Sequence, residues 1–417
     1  MSSIEKPKNL PLGTGKEFLE KRKELTLPAL EVKNTVLWVN PAFKNTMPFK
    51  IELGKQTNLG IFFTPLSEED VPKNARHPKI MPEDIVGRSG LEGSVIFQDK
   101  DGHFYRDIDL KGIGKFLRSR QEYYVSPVEK DMENSQKAKG LMDREFAERD
   151  KLYSEKFLQA DIRSHRVLAI TELEEIIHNK DKISISQAKQ HGIISEEMQP
   201  VIAIRAFGTK ERIDYILGYT SYHTKTLERK RKSLLDAKYL VAQELGKKPD
   251  EFSTKDYLEW LAETLGKQVA KIKKLKLFHG YITPHNITLD CRIVDLDSVQ
   301  TVREALADKE KIQKETLSII EDEEDLYKED YIQAERSINE FAQVLYSDWD
   351  KLELGNQEQL FKNNSPMKQL EFQNHIVNIF NRAYQEELKA KQKPKKERGE
   401  VEPSSTKQKK AQEKKAA

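Results

Sequence analysis

The sequence predicts an α+β protein of two lobes, with strands first and helices after. Two observations carry this. The first is a hairpin pattern: Ser94-Val95-Ile96-Phe97-Gln98, a turn at Asp99-Lys100-Asp101-Gly102, then a second run from Phe104 to Leu110. The Asp-Gly in that turn is a strong hairpin signal. The second is helical spacing in the later half, where Leu258, Leu261, Leu265, Val269 and Ile272 form one continuous apolar stripe.

Taken in order, residues 1–80 read as an irregular, proline-punctuated extension packed on the main body, with one strand at Thr35–Val39. Residues 81–220 form a β-rich N-lobe. In it Lys111 ends the second hairpin strand, and Gly112 and Gly114 follow. A helix covers Leu141 to Gln159, with Phe146, Tyr153 and Phe157 on one face and Asp150 inside that stripe. A carboxylate on a buried face requires a cationic partner. Val167–Ile170 and Val201–Ile204 read as strands. Residues 221–388 form a helical C-lobe: a charged helix or loop from Thr224 to Pro249, a helix from Asp256 to Leu275, and a mostly helical stretch from Asp308 to Tyr384. Ala334, Ile338, Phe341 and Leu345 are its core candidates.

Composition sets the outer bounds. At 417 residues the chain is long enough for two or three domains or one two-lobed enzyme. Charged residues make up 34%, mean hydropathy is −0.73, and no apolar run approaches the roughly 20 residues that span a bilayer. The N-terminus lacks the apolar core of a signal peptide. A single cysteine, Cys291, excludes an intrachain disulfide and fits a reducing compartment, so the expected location is cytoplasmic. Residues 389–417 carry 11 Lys and Arg against 4 acidic residues, a local +7 that leaves −5 on the rest of a chain of net +2. Such a tail cannot bury enough apolar surface to order itself, and no aromatics interleave its lysines to stack on bases. Membrane and nucleic-acid partners are therefore not expected.

Function is concentrated in His279 to Val299, HGYITPHNITLDCRIVDLDSV. Asn286 sits in a polar turn, and Cys291-Arg292-Ile293-Val294 reads as a short strand delivering Asp295. An amide oxygen and a carboxylate on two arms of a tight hairpin are hard ligands of the kind Mg²⁺ takes beside the phosphates of ATP. Four further pieces precede it. A glycine-rich segment, Gly87 to Ser94, offers Gly90 and Gly93 where backbone can approach phosphate. Lys111 stands at a strand end, Asp150 is placed to pair with it, and Arg205 and Arg212 follow the next strand as planar donors suited to phosphate.

In this order the pieces resemble the protein-kinase fold and, within it, the selenoprotein O family of protein adenylyltransferases. The resemblance covers Gly87 to Val299. Lys111-Gly112-Ile113-Gly114 is similar to that family's lysine motif, Lys-Gly-Ala-Gly. Arg149-Asp150-Lys151-Leu152-Tyr153-Ser154-Glu155 resembles its helix motif, Arg-Glu-Phe-Leu-Cys-Ser-Glu, and Arg163 to Leu168 continues the match. The spacing of Arg205 and Arg212 is similar to that of its phosphate-binding arginines, and that of Asn286 and Asp295 to its metal ligands. The resemblance implies a nucleotide bound in reverse orientation, with AMP passing from ATP to Ser, Thr or Tyr hydroxyls of a protein substrate.

The chain departs from that pattern where a base is needed. His285-Asn286 replaces Asp-Asn, which makes His285 the candidate catalytic base. His279-Gly280-Tyr281 replaces the His-Gly-Asp of small-molecule kinases, and Asp295-Leu296-Asp297 replaces Asp-Phe-Gly. Asp297 reads as solvated or as a second metal ligand, and His279 as a structural residue that holds the loop. Three readings stay open: an adenylyltransferase, a pseudokinase that binds nucleotide or a partner, and a phosphotransferase.

Overall fold

The computed structural model describes residues 27–43, 46–65, 86–99, 103–119, 122–130, 138–218, 227–316, 318–354 and 367–390. The turn residues Lys100 to Gly102, most of the N-terminal extension and all but the start of the basic tail lie outside these ranges.

Alternating apolar residues build one antiparallel sheet. Its main strands are β1 (Asn34–Val39), β2 (Val86–Gln98), β3 (Phe104–Ser119), β4 (Arg166–Leu173) and β5 (Pro200–Phe207), in the order β1-β4-β5-β3-β2. On β3, Ile108 and Leu110 enter the N-lobe core with Ile202, Ile204 and Ala206 of β5. The alternate residues, Asp107, Asp109 and Lys111, therefore share the opposite face. Helix α1 (Arg144–Gln159) crosses that face, where Ala147 packs against Val167, Ile170, Val201 and Ala203. Asp143 caps its start by accepting from Glu145 N–H.

The C-lobe is helical as expected. Helices α2 (Leu227–Glu244), α3 (Thr254–Lys274), α4 (Lys309–Thr316), α5 (Glu323–Ser347) and α6 (Met367–Lys389) are its main elements. Every predicted stripe residue of α3 and α5 is buried in one core with Phe372, Ile376 and Phe380 of α6. The capping box of Ser253 and Asp256 starts α3 two residues before the predicted point, and Lys271, Lys273 and Lys274 complement its C-terminal dipole. A β carbon on Gly266 would lie 2.4 Å from the Phe380 carbonyl oxygen, so glycine is what lets α3 and α6 approach.

Two expectations are corrected. Lys111 does not end its strand, because β3 continues to Ser119. Gly112 and Gly114 are required by crowding: added β carbons would meet Val201 O at 2.5 Å and the Phe62 ring at 2.9 Å. Nor is the glycine-rich segment a loop. It is ladder within β2, with Gly90 opposite Leu110 and Gly93 opposite Ile108, and a register shift between Leu91 and Gly93 absorbs an extra residue as a bulge.

Candidate functional site: a cationic cleft between the lobes

Beneath the sheet, the segment predicted to hold metal forms a tight hairpin, but Cys291 to Val294 is not the expected strand: Cys291 has φ 59° and only Ile293 bridges. Ile287 bridges Ile293 across the two arms, and Val294 N–H donates to Asn286 O at 3.0 Å. That pairing sets Asn286 and Asp295 at the same end. Asp295 adopts φ 60°, ψ 51°, a left-handed conformation uncommon outside glycine. Such backbone strain concentrates at functional sites.

His279 is structural, as predicted. Tyr281 N–H donates to its Nδ1 at 3.3 Å, so the ring's proton is on Nε2, which donates to Val294 O at 3.0 Å. Burial lowers its pKa and keeps the ring neutral. The carboxylate of Asp330 on α5 accepts from His279 N–H at 2.9 Å and Gly280 N–H at 2.8 Å.

Lys111 reaches down from β3 to this hairpin. Its Nζ donates to Asp295 Oδ1 at 3.3 Å and to Asp297 Oδ1 and Oδ2 at 3.2 and 3.3 Å. The predicted pairing with Asp150 is therefore corrected. Asp150 lies fully buried and accepts from His165 Nε2 at 2.7 Å and Arg205 Nη1 at 3.5 Å. Aspartate is one methylene shorter than the glutamate of the resembled motif, and buried donors nearer than Lys111 take its oxygens. Burial alone would raise its pKa, but His165, with Lys111 and Arg205 behind it, holds the carboxyl below the usual range. Asp297 is likewise not a solvated residue.

Arg205 is also more engaged than a free phosphate clamp. It sits directly opposite Asp109 in the β3–β5 ladder, and its Nε donates to Asp109 at 2.9 Å while Nη2 makes a second bond to the same oxygen. Lys210 Nζ donates to the other Asp109 oxygen at 2.9 Å. Asp295 lies 3.8 Å from both Arg205 and Arg212. Desolvation opposes its charge, yet Lys111, Arg212 and Arg205 keep its carboxyl well below the ordinary carboxylate pKa.

These groups wall a cleft of about 560 Å³. Of the predicted site residues, Lys111, Arg205, Arg212, Asn286 and Asp295 line it. Asp150 lies behind Arg205, and Gly90 and Gly93 are not on the wall, where Arg88 and Ser89 stand instead. His285 is off the wall too: its Nδ1 is 2.9 Å from Asp214 Oδ2. Tyr281 is on the wall, its hydroxyl donating to Glu315 of α4. The reading from sequence missed Asp109, Lys210, Arg88 and the entry of α4 into the site. Only Asp109 had left a signal, the Asp-x-Asp-x-Lys alternation on β3 that gives three charges one face.

An antiparallel sheet with an inward lysine on an interior strand, one helix across its face, and a helical lobe raising an Asn/Asp hairpin to that lysine make up a kinase-like two-lobed fold. No protein-family model matches the chain, and no curated protein sequence is similar to it. Among solved structures the chain is similar to ROP2 from Toxoplasma gondii, titled a virulence factor with a protein-kinase fold and no enzymatic activity. Identity is 9%, the match covers 74% of this chain and 76% of that one, and the TM-score is 0.30. It is also similar to the kinase domain of a Toxoplasma gondii specific rhoptry antigen, at 9% identity, covering 76% and 84%, with a TM-score of 0.29. Overlaps this loose add nothing to the chain's own geometry.

Proposed function

We propose that the cleft binds ATP with Mg²⁺ and that the protein transfers AMP from it to Ser, Thr or Tyr hydroxyls of a protein substrate, as the selenoprotein O resemblance implies. The observation that carries the reading is the convergence of Lys111, Arg205 and Arg212 on Asp295 at the base of the cleft. Cations held in a desolvated wall bind phosphate oxygens through charge-assisted hydrogen bonds. Among the described residues no group of three or more His, Cys, Asp or Glu gathers as a metal site. The donors that fit Mg²⁺ are two carboxylates and an amide, Asp295, Asp297 and Asn286, all on the cleft wall. Mg²⁺ favours such a partial oxygen set, completing it with water and phosphate, and would neutralise charge on the reacting phosphate.

In the transfer, the acceptor hydroxyl oxygen bonds to the α-phosphorus, the bond to the β-bridging oxygen breaks and pyrophosphate leaves. His285 is the proposed acceptor of the hydroxyl proton. Its Nδ1 lies 2.9 Å from the Asp214 carboxylate, the kind of neighbour that orients a histidine base. A second reading, a pseudokinase that binds nucleotide without transfer, is favoured by the position of His285 off the cleft wall and by a tyrosine at 281 in place of a carboxylate.

Incubation with α- and γ-labelled ATP separates the readings. Protein labelled from the α position alone is expected. Label from γ alone overturns AMP transfer, and binding without label supports the pseudokinase. Asp295→Ala is expected to abolish labelling, and undiminished labelling would remove Asp295 from the site.

A further inference from the structure

We infer that the cleft recognises the polyphosphate chain and not the identity of the nucleobase, so that it takes nucleoside triphosphates of any base with similar affinity and binds inorganic tripolyphosphate as well. This rests on the proposed ATP site and narrows what that site selects. Pockets that choose an aromatic ligand are lined mostly by apolar side chains that bury the ring, with a few polar groups fixing its orientation. This wall is composed otherwise. Its described residues include seven Lys and Arg, four Asp and Glu, and not one aliphatic side chain.

Nor does the described chain just after β5 open a slot beside that wall. The segment after β5 is packed shut: Thr209, Lys210 and Glu211 are all buried, and a β carbon on Gly208 would lie 1.9 Å from Asp290 Oδ2. Lys210 N–H is committed to Asp107 at 2.9 Å. Arg292 fills the adjoining space, donating to Phe104 O at 2.7 Å and lying 4.8 Å over the Tyr105 ring. Among the described residues, Gly208 to Glu211 thus offer neither an apolar crevice nor an open edge for a purine.

Among the described residues, what the wall offers a base is Phe146 and Tyr281. Stacking on an aromatic ring tolerates every base, since each has a π-face. The cations, in contrast, discriminate sharply by charge. Losing one charge-assisted contact costs about tenfold or more in affinity.

The test is calorimetric titration of the full-length protein with Mg²⁺ and, in turn, ATP, GTP, UTP, inorganic tripolyphosphate and adenosine. ATP, GTP and UTP are expected to bind within about threefold of one another, tripolyphosphate to bind the same site less tightly by the stacking it lacks, and adenosine not to bind, because phosphate contacts supply most of the affinity. Arg212→Ala is expected to weaken all four by a common factor. ATP binding more than about tenfold tighter than GTP and UTP, or adenosine competing with ATP, overturns the inference while leaving the ATP site standing. Failure of all four to bind overturns the ATP site itself, and the inference with it.

Discussion

At the residue scale the site is a problem of sharing charge. Four carboxylates, Asp109, Asp150, Asp295 and Asp297, meet the cations Lys111, Arg205, Lys210 and Arg212, and most of these groups are buried. The desolvation of each must be offset by a partner, so removing one member leaves others uncompensated. Asp150→Ala would strip the buried Arg205 and His165 of an acceptor, and is expected to cost about 3–5 kcal/mol of unfolding free energy. Urea denaturation measures it, and a loss under about 1 kcal/mol would show that Asp150 is not a working partner of Arg205. Much of the membership was legible in the sequence: Lys111, Arg205, Arg212, Asn286 and Asp295 do line one cleft. The pairings were not. Asp150 and Lys111 were matched by motif, but pairing depends on which donor is nearest in space, and Arg205 opposite Asp109 was fixed by strand register.

At the element scale, short-range signals were reliable and glycines were not. The stripes of α3 and α5 specified buried faces because helical period alone decides which residues share a side. Gly112, Gly114 and the run in β2 suggest loops when read along the chain, yet all lie in ladders. At Gly112 and Gly114 the cause is a positive φ of 102° together with the approach of a non-local neighbour, which no local pattern encodes. Gly266 follows the same logic within a helix. Gly266→Ala would normally gain helix propensity, but its β carbon at 2.4 Å from Phe380 O must push α3 and α6 apart. The expected result is a destabilisation of about 1–3 kcal/mol by thermal or urea unfolding. A stabilised variant would show that the two helices are not this close.

At the scale of the whole molecule, buried ion pairs tie the lobes together. Arg106 of β3 donates to Asp236 of α2 at 2.8 Å, and Arg292 links Asp290 in the hairpin to Ser164 O at 3.0 Å. Arg163 holds Glu244 at 3.0 and 2.7 Å. This network sets the pH response. Burial opposes ionisation of Asp109, Asp290 and Asp295, but Lys210 and Arg205, Arg292 and Arg163, and Lys111 with Arg212 respectively lower their folded pKa values. Their contribution is present above the unfolded carboxyl value near pH ~4 and is lost as pH falls through the folded values. Asp330 runs the other way: burial raises it to about 7, so its contribution is full below that unfolded value and is lost as pH rises through 7. The urea midpoint is therefore expected to fall between about pH 5 and pH 3, and Asp330→Asn to flatten its decline between about pH 5 and pH 8. A midpoint unchanged from pH 5 to 3 would show that these pairs are not held in the native state.

The sequence by itself determined the order of strands before helices, the apolar face of each helix, and the hairpin that joins Asn286 to Asp295, because each depends on residues close along the chain. Tertiary structure alone decided that Lys111 meets Asp295 and Asp297, that His285 turns to Asp214, that α4 enters the site through Glu315, and that Gly208 packs against Asp290. Those pairings depend on distances between side chains from separate strands, helices and loops. Such distances are set by packing and by the need to pair every buried charge, and a linear pattern does not carry them.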